Sequence, residues 1–148
     1  MSSSARPYML VVEDSNEDFA ALQRVLSKHC KTDIPIKRCD DGDDALDFIY
    51  HRGAYSNLTQ LPQLIVLDLN LPGTDGREVL TQIKQHEQLK QIPIVIFTTS
   101  SNPKDIASCY QRGANSYLVK PMSIEQLKKS VCSLIQYWFE VAVLPAQG

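Results

Sequence analysis

Three short runs in the sequence, residues 8–12, 64–67 and 94–97, are apolar at almost every position. A strand with one wet face alternates apolar and polar side chains, so a strand apolar throughout must be covered on both faces. Parallel sheets flanked by helices provide that cover. Two further β-rich runs occupy residues 34–39 and 116–119. The stretches between carry helical spacing: Phe19, Leu22, Val25 and Leu26 in the first, Ala45, Leu46, Phe48 and Ile49 in the second, and Val79, Leu80 and Ile83 in the third. Ile106, Ala107 and Tyr110 mark the fourth, and Leu127, Val131, Leu134, Ile135 and Trp138 the fifth. Strands alternating with helices of this length predict βαβ units, hence an α/β, doubly wound parallel sheet in one domain.

The punctuation agrees. Ser15 is placed to cap the first helix, with Asp18 in its first turn. Gly42 opens the second helix, Pro103 occupies an N1 position, and Gly113 follows the fourth helix as a C′ glycine. Residues 51–63 form a long polar connection, of the kind that is either functional or a cheap surface insertion. Residues 139–148 form a tail more apolar than a free terminus requires.

With 148 residues the chain suits one domain with a two-sided core. A net charge of −2 offers no electrostatic footprint for nucleic acid. The N-terminus lacks a secretory pattern and no apolar run reaches the roughly 18–20 residues of a membrane span, so the expected location is cytoplasmic. Cys30, Cys39, Cys109 and Cys132 are scattered without a C-x-x-C pair and read as reduced structural thiols.

Function is concentrated at one sheet edge. In doubly wound sheets ligands bind beyond the carboxyl ends of the strands. Those ends carry Glu13-Asp14, Asp68, Thr98-Thr99-Ser100 and Lys120-Pro121. Two carboxylates about 4 Å apart repel by about 4 kcal/mol at an effective dielectric of about 20, so three together call for a cation. Oxygen donors with open positions suit Mg²⁺, and a carboxylate on the central strand, Asp68, is a candidate nucleophile toward phosphorus. The metal and Lys120 would supply the charge neutralisation that phosphoryl transfer requires.

The ordered set Leu-Val-Val-Glu13-Asp14, Asp68-Leu-Asn-Leu-Pro72-Gly-Thr-Asp-Gly76, Thr98-Thr99 and Tyr117-Leu-Val-Lys120-Pro121 resembles the receiver domain of two-component response regulators. The resemblance implies a (βα)₅, flavodoxin-like fold of strand order 2-1-3-4-5, with an extended C-terminal helix. Residues 1–7 would be a flexible N-terminus, 8–138 the receiver domain, and 139–148 the apolar tail.

It implies that Asp68 accepts a phosphoryl group from a histidine kinase. Glu13, Asp14, Asp68 and the backbone carbonyl of Asn70 would hold Mg²⁺, with Mn²⁺ or Ca²⁺ able to substitute in a crystal. Thr98, Thr99, Lys120 and Tyr117 would form the phosphate-binding and switch set, Asn70 and Ser100 would tune the phosphate's lifetime, and the Lys120-Pro121 bond would be cis. The chain would be no enzyme beyond assisting its own phosphorylation and dephosphorylation. A dehalogenase-type phosphatase is disfavoured because Asn70 stands where those enzymes place a second acid.

The long second connection, the Asp-Leu-Asn-Leu-Pro run and Trp138-Phe139 with its tail are similar to the small response regulators paired with cyanobacterial and bacterial phytochrome kinases. That likeness implies a phytochrome-type kinase upstream and a homodimer, with Trp138, Phe139, Val141, Val143 and Leu144 as dimer candidates. An apolar patch of this kind marks interfaces, against the alternative of a tail folded back on its own domain. Neither nucleic acid nor membrane is expected as a partner. The output would pass to an unidentified downstream protein or phosphotransfer partner.

Overall fold

The computed structural model describes residues 6–146. Five parallel strands form one sheet in the order β2-β1-β3-β4-β5. The strands are β1 (Met9–Val12), β2 (Ile36–Cys39), β3 (Leu64–Leu67), β4 (Ile94–Thr98) and β5 (Ser116–Val119). The helices are α1 (Asn16–Lys28), α2 (Gly42–Ile49), α3 (Gly76–Gln85), α4 (Pro103–Gln111) and α5 (Ile124–Gln136). The receiver architecture and strand order expected from the sequence are the ones observed.

Alternation along each buried strand divides the core in two. Leu10, Val12, Ile65, Leu67, Ile94 and Ile96 face α2 and α3. Met9, Val11, Leu64, Val66, Val95 and Phe97 face α1 and α5. Because β1, β3 and β4 are buried on both faces, neither layer can shift without exposing the other, and the register is fixed along the whole C-terminal edge.

Helix starts follow local chemistry. Ser15, Asp41, Asp75, Asn102 and Ser123 each accept a backbone N–H from the first turn of the helix they cap. Gly42 is needed for close approach, since a Cβ there would overlap the Thr74 carbonyl oxygen. A Cβ at Gly76 would overlap the Asp68 carbonyl oxygen and the Leu69 backbone, so this glycine lets α3 start hard against the turn that follows Asp68. The 51–63 connection is tied down rather than loose. Tyr55 packs 4.9 Å from the Phe48 ring and donates to Asp44, and the Tyr8 hydroxyl donates to the Gln60 carbonyl at 2.7 Å.

Two expectations are corrected. Cys30 and Cys132 form a disulfide, while Cys39 and Cys109 are free and buried. The pair is 102 residues apart, but the end of α1 lies beside the middle of α5, a neighbourhood that local cysteine spacing does not reveal. Among the described residues no peptide bond is cis, so Lys120-Pro121 is trans. The C-terminal helix is extended as expected: α5 ends at Gln136 and widens directly into a π-helical turn, Tyr137–Val141, in which the Ala142 N–H donates to the Tyr137 carbonyl at 2.7 Å. The wider turn lets consecutive Trp138 and Phe139 both pack, half-buried, against the α1 side of the core.

Gly76→Ala should destabilise the fold by about 3 kcal/mol, because the obstructing atoms are backbone and cannot rotate away. Urea unfolding of this variant beside Ala54→Gly, a change at an exposed turn, measures the cost. Equal midpoints would refute the close-approach account.

Candidate functional site

The site is built where strand ends meet helix starts. Glu13 is the residue after β1, its N–H donating to the Cys39 carbonyl, and the Asp68 N–H donates to the Val12 carbonyl. These sheet-type bonds carry both acids in register past the strand ends. Glu13 and Asp68 are buried at 4% and 6% exposure, whereas Asp14 is exposed. Carboxylate oxygens of the three lie within 4.8 Å of one another.

Lys120 enters from the end of β5. Its ammonium lies 2.7 Å from Glu13 Oε1, 2.8 Å from Asp68 Oδ2 and 2.8 Å from Asp18 Oδ2. The other Asp68 oxygen, Oδ1, accepts the Leu69 N–H at 2.7 Å. Burial pushes the Glu13 carboxyl up to about 7, against the opposing pull of its Lys120 hydrogen bond. Burial alone would lower Lys120, but hydrogen bonds to Asp18, Asp68 and Glu13 outweigh it and hold the ammonium well above the usual lysine range. Three carboxylates contact a single ammonium and Asp14 lies beside two of them, leaving a deficit of positive charge. Hard oxygen donors, one of them open to solvent, fit a divalent cation.

The hydroxyl side of the pocket is arranged differently. Thr98 is fully buried, and its Oγ1 has no hydrogen-bond partner among the described residues. Thr99 and Asn70 are exposed on the rim. The Ser100 hydroxyl donates to Asp105 Oδ2 on α4 at 2.7 Å, and Arg77 on α3 holds the other oxygen at 2.9 Å. The Ser100 bond, then the Arg77 bond, hold the Asp105 carboxyl below the ordinary range. The Tyr117 hydroxyl donates to the Ser100 carbonyl at 2.9 Å, so this half-buried ring is tied to the segment after β4.

Sequence reasoning missed four participants. Asp18 carried only a helix-start signal, yet α1 turns it onto Lys120. Arg38 sits on β2 with its guanidinium 4.7 Å over the Phe19 ring, and its Nε donates to the Glu13 carbonyl at 3.0 Å, bracing the loop that holds the acids. The Arg77–Asp105 pair spans 28 residues and has no local signature. Of the tail residues, Trp138, Phe139 and Leu144 are half-buried, and Val141 and Val143 are exposed.

Lys120→Met should cost about 3 kcal/mol at pH 7 by leaving buried Glu13 and Asp68 without counter-charge. The loss should shrink by pH 5, below the raised value of about 7 at which Glu13 takes up a proton. Urea unfolding at both pH values reads the difference, and an equal loss would contradict the pairing.

The sequence pattern of the response regulator receiver domain matches residues 9–132. Response regulator Rcp1 of Synechocystis sp. is 42% identical over 148 residues, covering 99% of each chain. The crystal structure of the Mn(2+)-bound form of Rcp1 aligns with a TM-score of 0.87 at 41% identity, covering 95% of this chain and 99% of that one. The phosphorylated cyanobacterial phytochrome response regulator RcpA aligns with a TM-score of 0.89 at 36% identity, covering 96% of this chain and 100% of that one. The chain is therefore a member of the response regulator receiver domain family.

Proposed function

We propose that this chain is a phosphoacceptor switch in which Asp68 takes a phosphoryl group from a histidine kinase. The observation that carries the reading is the Asp68 carboxylate, buried at the end of β3 and 2.8 Å from the Lys120 ammonium. In the transfer, one Asp68 oxygen forms a bond to phosphorus as the bond from phosphorus to the kinase imidazole nitrogen breaks. The imidazole leaves with that electron pair and takes up a proton. Lys120 already bonds the carboxylate and keeps its charge beside the reacting oxygens. Glu13, Asp14, Asp68 and the backbone carbonyl of Asn70 would hold Mg²⁺, which when bound neutralises charge on the phosphoryl oxygens. Mn²⁺ or Ca²⁺ suits the same donors.

Thr98 supplies the switch. A buried hydroxyl without a partner costs about 1–3 kcal/mol, and a phosphoryl oxygen on Asp68 would relieve that cost by accepting a hydrogen bond from the Thr98 O–H. Thr99 contributes at the rim. Movement of Thr98 draws the segment after β4 with it, and Tyr117, bonded to the Ser100 carbonyl, changes rotamer in response. Asn70 and Ser100 tune how long the phosphate survives, Ser100 through its bond to Asp105. The protein thus assists its own phosphorylation and dephosphorylation.

The kinase on this reading is of phytochrome type, supported by the likeness to RcpA across nearly the whole chain. Residues 8–138 act as the receiver, in the cytoplasm. The 139–148 tail serves a homodimer through exposed Val141 and Val143, with Trp138, Phe139 and Leu144 shaping the contact. The output is contact with a downstream protein or onward phosphotransfer.

Incubation with acetyl phosphate and Mg²⁺ should add one phosphoryl group by intact mass. Both Asp68→Asn and a chelator should abolish it, and a group that survives either would overturn the reading. Asp105→Ala, which frees Ser100 and Arg77, should change the acyl phosphate's half-life at least about twofold, measured by mass after donor removal. Joint replacement of Val141 and Val143 by Asp should give a monomer by light scattering where the unmodified chain gives a dimer.

A further inference from the structure

The disulfide lies between α1 and α5, at the opposite end of α1 from Asp18 and the acidic pocket. Cys30 follows the last turn of α1, where the His29 and Cys30 N–H groups both donate to the Val25 carbonyl and Lys31 turns left-handed at φ 52°. Cys132 sits within α5, whose Val131 and Ile135 pack in the same core layer as Leu22, Val25 and Leu26 of α1. Both cysteines of the bond are half-buried residues at the edge of that core layer.

The free cysteines are the contrast. Cys39 and Cys109 are 1% and 0% exposed, and burial pushes both thiols up, which keeps them protonated and inert. The linked pair has basic neighbours: Lys28, His29 and Lys31 flank Cys30, and Lys128, one helical turn before Cys132, shares its face. Once the bond opens, a thiolate is the species that exchanges. The chain therefore separates two inert thiols from one linked pair.

That pair also governs a particular element. α5 runs directly into the π-helical turn that carries Trp138 and Phe139, and the exposed Val141 and Val143 follow. Fastening α5 to α1 fastens the base of this apolar extension.

We propose that Cys30–Cys132 is a reversible thiol–disulfide site, reduced by a protein dithiol, and that its state sets how firmly α5 and its apolar extension are held against α1. In the reduction, a thiolate of the dithiol attacks one cysteine sulfur, and the other leaves as a thiolate and takes a proton. The second thiol of the dithiol then attacks the mixed disulfide, releasing the first cysteine and closing the reductant's own disulfide. Two electrons and two protons pass to the cysteine pair. The reverse step uses glutathione disulfide as oxidant.

The test uses the full chain in oxidised and reduced glutathione buffers, labelled natively with N-ethylmaleimide and read by intact mass and peptide mapping. The oxidised protein should take no label, and the reduced protein two, at Cys30 and Cys132, along a reversible two-electron curve. Hydrogen exchange over residues 124–141 should rise at least about threefold on reduction while the amides of β1 and β3 stay unchanged. Cys132→Ser should exchange alike in both buffers, and reduced unmodified protein provides the same comparison without a substitution. A bond that never forms, one that opens only in denaturant, or unchanged exchange over α5 would each overturn the proposal.

Discussion

The single ammonium of Lys120, set among Glu13, Asp18 and Asp68, is the contact on which the strand-end architecture depends. It reaches across from β5 to β3 and β1, so three chain segments separated by up to about a hundred residues are pinned to one charge. Buried carboxylates without a partner are costly, and the pairing makes their burial tolerable. The positions of the Asp68 turn, the Glu13-Asp14 loop and the start of α1 are then coupled. A change in charge at Asp68 must be felt by all three.

The hydroxyl side responds through a different kind of bond. Thr98 presents a donor unsatisfied among the described residues, while Ser100, two residues on, is held by Asp105 on α4, which Arg77 on α3 holds in turn. Because Tyr117 bonds the Ser100 carbonyl, the backbone after β4 is held from two sides. On the phosphoacceptor reading, moving Thr98 toward Asp68 works against this hold. The network therefore sets the energetic separation between resting and switched forms, and its members lie on elements remote from the phosphorylated residue.

The sequence made the strand-end chemistry readable because parallel topology converts order along the chain into proximity at one edge. Glu13, Asp14, Asp68, Thr98 and Lys120 each follow or end a strand, so identifying five strands was enough to gather them. Asp18 escaped because a helix-start acid looks the same whether it faces water or Lys120. Arg77 and Asp105 escaped because a contact between neighbouring helices depends on their rotation, which apolar spacing specifies only coarsely. Cys30 and Cys132 illustrate the same limit more sharply. Their pairing follows from the packing of α1 beside α5 and from the exact turn at which α1 ends, neither of which the spacing of four cysteines encodes.

The two faces of the sheet thus carry unlike constraints. On the α2–α3 side, glycine contacts and the tied-down 51–63 connection make the packing rigid around Asp68's turn. On the α1–α5 side, cohesion comes from apolar packing, one covalent link and a π-helical turn that folds Trp138 and Phe139 inward. Asp18 joins the two, since it sits on α1 yet bonds Lys120 at the pocket. α1 is the one helix with a charge at the acidic site from its first turn and a disulfide partner just beyond its last. On the phosphoacceptor reading, a displacement of α1 that accompanied a new charge on Asp68 would reach α5 through Cys30 and through the α1–α5 packing.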